Sequence, residues 1–186
     1  MLFRSTIFND NFEGTTEWAL TGEFEKGTPQ GLQAEDYGYP DPTSAYSGEN
    51  VLGVDLTGLG YFEGNYENYL SDRAYTATGP LMDASYFQNI SLHFHRWLNV
   101  EGSDDVYIDY SLDSGNTWHQ LWNNSQKIAE NDWNLIDHAL PTSSDGTSGL
   151  KIRFAAGETD GSWSFSGWNI DDLDRKSTRL NSSHYS

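Results

Sequence analysis

Cysteine is absent from this 186-residue chain, which excludes disulfides, thiolate metal sites and cysteine nucleophiles together. Basic residues are scarce: 10 Lys and Arg stand against 28 Asp and Glu, a formal net charge of -18. Such a surface repels phosphate backbones and anionic lipid. Nucleic acid and membrane are therefore not expected partners, while divalent cations, neutral glycans and basic proteins stay open. No apolar run reaches membrane-spanning length, and residues 1–12 lack the charged start and continuous apolar middle of an export signal. Either such a signal lies upstream of Met1 or the domain is cytoplasmic. Also missing are the His-Glu-x-x-His, Gly-x-Ser-x-Gly, Walker and dinucleotide-binding patterns, any sustained helical period and any solenoid or propeller repeat. No pair of carboxylates is singled out for glycoside hydrolysis.

What is present points to an all-β chain. Aromatic residues make up 15% of the sequence and glycine occurs 18 times, a balance that suits strands and tight turns. Phe8 and Phe12 share a parity before the Gly14-Thr15-Thr16 break. Trp18, Leu20 and Phe24 continue it, so residues 18–27 are read as one strand ending at Thr28-Pro29. The clearest alternation sets Ile90, Leu92, Phe94, Leu98 and Val100 on one face and Ser91, His93, His95, Trp97 and Asn99 on the other. Arg96 is the one charge on the apolar side. Val106, Ile108, Tyr110 and Leu112, followed by Trp118, Gln120 and Trp122, form a hairpin. Residues 75–82, 133–140 and 150–154 add strands. Residues 30–69 are mostly loop around one strand-like piece at 50–56, and loops of that length are usually functional or disordered.

The last strand carries Trp168, Ile170 and two adjacent acids, Asp171 and Asp172. Parity turns Asp172 toward the core and Asp171 away from it, and an inward carboxylate is costly unless it is paired or binds a cation. Beyond Leu173, residues 174–186 resemble one reading frame of a short-read sequencing adapter. Basic, Ser-rich and without apolar period, they are expected to be a disordered, artefactual tail. Residues 1–173 are then a single domain, truncated at its C-terminal end.

Ser111-Leu112-Asp113-Ser114-Gly115-Asn116-Thr117-Trp118 resembles the Asp-box of sialidases and related propellers. A single copy reads as a well-made hairpin turn: the Asp bonds turn backbone, Gly takes the positive φ, and Trp packs over them. His93-x-His95 sets two imidazoles on one strand face, but without a third ligand they read as ordinary polar residues. The loop tyrosines Tyr37, Tyr39, Tyr61 and Tyr66, with Trp163, present flat rings that either contact a ligand or cover the sandwich edge.

Taken in order, Asp10-Asn11-Phe12-Glu13, Trp18, Gly27-Thr28-Pro29, Ala45-Tyr46-Ser47-Gly48, residues 50–56, the Asp105 to Trp118 hairpin, Lys151-Ile152-Arg153-Phe154 and Gly167-Trp168-Asn169-Ile170-Asp171-Asp172 resemble the MAM-like jelly-roll domains of secreted bacterial proteins. The accessory domain of immune inhibitor A-type metallopeptidases is one of these. The family's last strand runs on past the paired Asp, and the cysteines of animal MAM domains are missing here. The resemblance implies an antiparallel β-sandwich of jelly-roll type with first and last strands adjacent. It also implies a secreted or cell-surface, non-catalytic accessory domain that binds glycan or extracellular protein, or other domains of its own chain. The alternatives are part of a metallopeptidase and a free-standing adhesion module. Asp10, Glu13, Asp55, Asp171 and Asp172 are then expected to share a structural Ca2+ ion, because gathered carboxylates repel unless a hard cation takes up their oxygens. Plain surface acidity is the alternative.

Overall fold

The structure, a computed structural model, describes residues 4–15, 17–34 and 37–179. Apart from a 3-10 turn at Thr142–Ser144, its regular elements are strands. One sheet runs β10 (Asn134–Ala139), β6 (Phe87–Val100), β12 (Gly167–Arg179), β4 (Val51–Val54) and β3 (Phe24–Gly27). In this sheet β1 (Arg4–Asp10) also pairs with β12, and β9 (Ile128–Ala129) with β6. The other runs β2 (Ala19–Thr21), β5 (Tyr75–Thr78), β11 (Lys151–Ala156), β7 (Val106–Ser111) and β8 (His119–Asn123). All the strand pairings are antiparallel. The result is the expected two-sheet sandwich of jelly-roll type, with first and last strands paired.

The alternation of β6 is what builds the core. Ile90, Leu92, Phe94, Leu98 and Val100 are buried in one cluster with Val106, Ile108, Ile152 and Phe154 of the opposite sheet. Trp168 of β12 joins them edge-on, its ring centroid 5.5 Å from that of Phe154, which in turn lies 5.3 Å from Phe94. Its indole N–H donates to the Ala155 carbonyl at 3.0 Å, so burial leaves no orphan donor there. Each such side chain contributes about 1.5–3 kcal/mol when fully buried. Arg96 escapes the core: its guanidinium grips Glu130 at 2.6 Å and lies 5.4 Å from the Trp122 ring centroid.

Two expectations need correction. Residues 18–27 are not one strand, because Gly22 at φ 63 turns the chain so that β2 joins one sheet and β3 the other. A side chain at Gly22 would run into the Tyr75 ring. Nor are residues 174–179 disordered. β12 continues to Arg179, held by β1 on one side (Asp10↔Leu173 to Arg4↔Thr178) and by β6 on the other. The reason is that ladder bonds are made by backbone, and two flanking strands can accept almost any sequence between them. Side-chain chemistry is less accommodating. Arg175 is wholly buried with no hydrogen-bond partner on any of its three nitrogens, and burial brings its pKa down to about 9. Residues 180–186 of the expected tail lie outside the described residues.

Candidate ligand-binding surface

The outward face of β6 carries His93, His95, Trp97 and Asn99, and residues 37–50 are laid along it. Their attachments run in register with the strand. The Tyr39 N–H donates to Asn99 Oδ1 at 3.0 Å, and Trp97 Nε1 donates to the Pro40 carbonyl at 3.0 Å. Trp133 Nε1 donates to the Ser44 carbonyl at 3.3 Å. Beneath the loop, buried Asn169 donates to buried Asp41 at 2.6 Å. At the far end the Tyr46 ring stacks on the His95 imidazole, centroids 3.4 Å apart and planes 12° from parallel.

Acidic side chains fasten the same segment. Ser47 donates its N–H to Asp171 at 2.9 Å and its hydroxyl to Asp172 at 2.8 Å. The N–H groups of Glu49 and Asn50 both donate to Glu13 at 2.8 Å, which lowers the Glu13 pKa. Asp171 keeps the expected outward facing, since it stands opposite outward His95, yet it is wholly buried because the loop at Ser47 covers it, while Asp172 is only partly buried. The expectation that Asp172 faces the core is the one that fails: the register shifts between Asp171 and Asp174, Asp172 sits at φ 48, and this β-bulge turns it to Ser47 beside Asp171. Burial, resisted by the Ser47 and Asp172 N–H groups, pushes Asp171 up to about 6. Burial likewise lowers the pKa of His95, with partial opposition from Asp172.

The five carboxylates expected to share calcium are thus divided. Glu13, Asp171 and Asp172 converge on residues 46–50, and Asp10 lines a groove with Asp172 while accepting from the Phe12 N–H and Trp18 Nε1. Asp55 is elsewhere, binding the N–H groups of Leu59 and Gly64 beside Glu23 and Glu25. Among the described residues, the one trio of potential ligand atoms lying within 4.8 Å of one another is Glu101, Asp104 and Asp160.

Of the expected aromatic contacts, Tyr37, Tyr39, Tyr61 and Trp163 are exposed. Tyr37 and Trp163, far apart in sequence, meet with ring centroids 5.1 Å apart. Tyr66 is a correction: it is buried, its hydroxyl donating to Asp104 at 2.7 Å and accepting the Glu101 N–H at 3.0 Å. Sequence reasoning missed Tyr46 and Leu135 as partners of His95, and Trp133 as the neighbour of Tyr46 and Trp97, although strand parity does point His95 outward. Open space of about 310 Å³ adjoins this stack, lined by Asp10, Asn11, His93, His95, Leu135 and Asp172 among others. The Asp-box reading stands as a turn: Asp113 accepts the Thr117 N–H and hydroxyl and the Ser111 hydroxyl, which hold its pKa at about 2.

Fold and surface together define an antiparallel jelly-roll domain with an aromatic strip over one sheet. No protein family matches the chain, and no curated protein sequence matches it either. Solved structures do match. The CBM22-1 xylan-binding domain of Xyn10C from Paenibacillus barcinonensis superposes with a TM-score of 0.53 at 12% identity, over 95% of this chain and 97% of that one. The K1 cleaved adhesin domain of Lys-gingipain from Porphyromonas gingivalis gives 0.54 at 16% identity, over 95% and 99%. The C-terminal family 22 carbohydrate-binding module of Clostridium thermocellum Xyn10B gives 0.52 at 12% identity, over 97% and 96%. At these identities the likeness is one of fold.

Proposed function

We propose that this chain is a non-catalytic binding module for a neutral glycan, contacted through Tyr37, Tyr39 and Trp163, in a secreted multidomain bacterial protein of MAM-like type. The observation that carries the reading is the Tyr37–Trp163 pair: two rings from distant segments, held together and left in water. Exposed aromatic pairs cost hydration free energy unless a ligand covers them, and flat rings suit the apolar faces of sugars. Net charge of -18 favours a neutral chain over a polyanionic one. The similarity in fold to xylan-binding and adhesin domains supports a binding role. Native gels cast with xylan, mixed-linkage β-glucan or mannan test it. At least one polymer should retard the protein, and the double variant Tyr37→Ala/Trp163→Ala should weaken that binding about tenfold or more, the equivalent of about 1.4 kcal/mol. Retardation by no polymer, or a double variant that binds unchanged with its melting temperature intact, overturns the reading.

Calcium is part of the same proposal in a narrower form. Glu13, Asp171 and Asp172 are hard oxygen donors converging on one short loop. Glu13 Oε1 is taken up by the Glu49 and Asn50 N–H groups, so the oxygens that suit such an ion are Glu13 Oε2 and those of Asp171 and Asp172. An ion that binds the folded chain raises its melting temperature with concentration. Melts in chelator and in millimolar calcium should differ, and equal midpoints end the idea.

A further inference from the structure

We infer that the glycan lies as an extended chain along the outer face of β6, from Tyr37 and Trp163 across Tyr46 and into the groove at His93, which makes the module a reader of chain interiors and not of chain ends. The inference rests on the glycan reading above and goes beyond it in the class of ligand and in the residues used. Of the ten large hydrophobic side chains that are exposed among the described residues, five (Tyr37, Tyr39, Tyr46, Leu135 and Trp163) belong to this strip. Their placement follows the strand. Tyr39 is pinned over Asn99, Tyr46 is stacked on His95, and Leu135 is the cross-strand partner of His95. From Asn99 to His93 the strand spans ~20 Å at about 3.3 Å per residue, too long for one sugar, and the exposed rings of Tyr37, Tyr39 and Tyr46 stand on the loop that covers it.

The far end of the strip is built, not incidental. Tyr46 is fixed from below by His95 and flanked edge-on by Trp133, centroids 6.5 Å apart. Trp133 also packs edge-on against Trp97 at 6.1 Å while tied to the Ser44 carbonyl. The loop between them is clamped by Glu13, Asp171 and Asp172. Rings held this way lose little freedom on binding, so stacking energy is not spent on ordering the site. Past Tyr46, the groove supplies carboxylate, amide and imidazole groups at Asp10, Asn11, Asp172 and His93, which can pair with sugar hydroxyls. Asp10 and Asp172 there oppose uronate or sulfate groups and fit a neutral polymer.

Fragments of the polymer that retards the protein provide the test, with titration calorimetry on the whole chain. A six-residue fragment should bind at least tenfold more tightly than a two-residue fragment. Tyr46→Ala and Trp133→Ala should each weaken the six-residue fragment about tenfold, whereas Tyr46→Phe, which keeps the ring, should match the parent chain. Equal affinity for the two fragment lengths overturns the extended path. So does undiminished binding by Tyr46→Ala and Trp133→Ala when Tyr37→Ala/Trp163→Ala loses it; the site is then local and the glycan reading survives. Trp133→Ala and the length dependence decide the matter if Tyr46→Ala fails to fold. Absence of binding to every polymer brings down the glycan reading and this path with it.

Discussion

A wholly buried carboxylate next to a second one is an expensive choice, and Asp171 makes it to hold Ser47 in place. Its folded pKa of about 6 lies above the ordinary 3.8, with burial the first cause. The unfolded chain therefore releases this proton at lower pH than the folded one. Its contribution to stability is complete below pH 3.8, falls as pH rises through 6 and is flat above, a loss of about 3 kcal/mol. Asp171→Asn keeps an oxygen for the Ser47 N–H and has nothing to ionise. In chelator, urea midpoints taken from pH 4 to 8 should decline for the parent relative to the variant up to about pH 6. Parallel midpoints across that range would show that the carboxyl is not perturbed.

At the level of elements, β12 is where backbone and side chains disagree. Its ladders to β1 and β6 carry bulges but run on to Thr178 and Arg179, yet Arg175 takes a core position opposite Leu92 with the Phe8 ring centroid 5.1 Å from its guanidinium carbon. Replacing a buried charge that lacks partners with an apolar residue is often stabilising by about 1–4 kcal/mol. Arg175→Leu should therefore raise the thermal midpoint, and a drop would mean that the guanidinium is satisfied in some other way. Elements with one dry face were legible in the sequence. β6 announced itself by alternation, and the Asp113 turn by its residues. The break at Gly22 was not legible, because Trp18, Leu20 and Phe24 keep one parity across a corner that sends them to different sheets. The bulge at Asp172 was equally silent: one residue in the left-handed region breaks the alternation and puts Asp172 on Ser47 beside Asp171 instead of in the core. Tyr46 over His95 depends on the path of a loop, which local pattern does not encode.

Across the whole molecule, the expectation that mattered most was that the first and last strands would be partners. Their pairing brings Glu13, Asp171 and Asp172 to one loop and so fixes the surface on which ligand contact is proposed. The exposed Tyr37 and Trp163 could be named from the sequence; their meeting could not, since it depends on the path of two loops that touch where Gly38 packs against Phe165 and Asn99. The same pairing has a mechanical side. Arg4 stands opposite Thr178 and Asp10 opposite Leu173, so residues 4 and 179 leave the sheet at one end of the ladder. Tension between them does not shear the two strands past each other, with every hydrogen bond sharing the load. It opens them from the shared end like a zip, one pair at a time, and the yield point is the β1 edge: under pull, the module gives way at its margin while β6 and the strip above it are still intact.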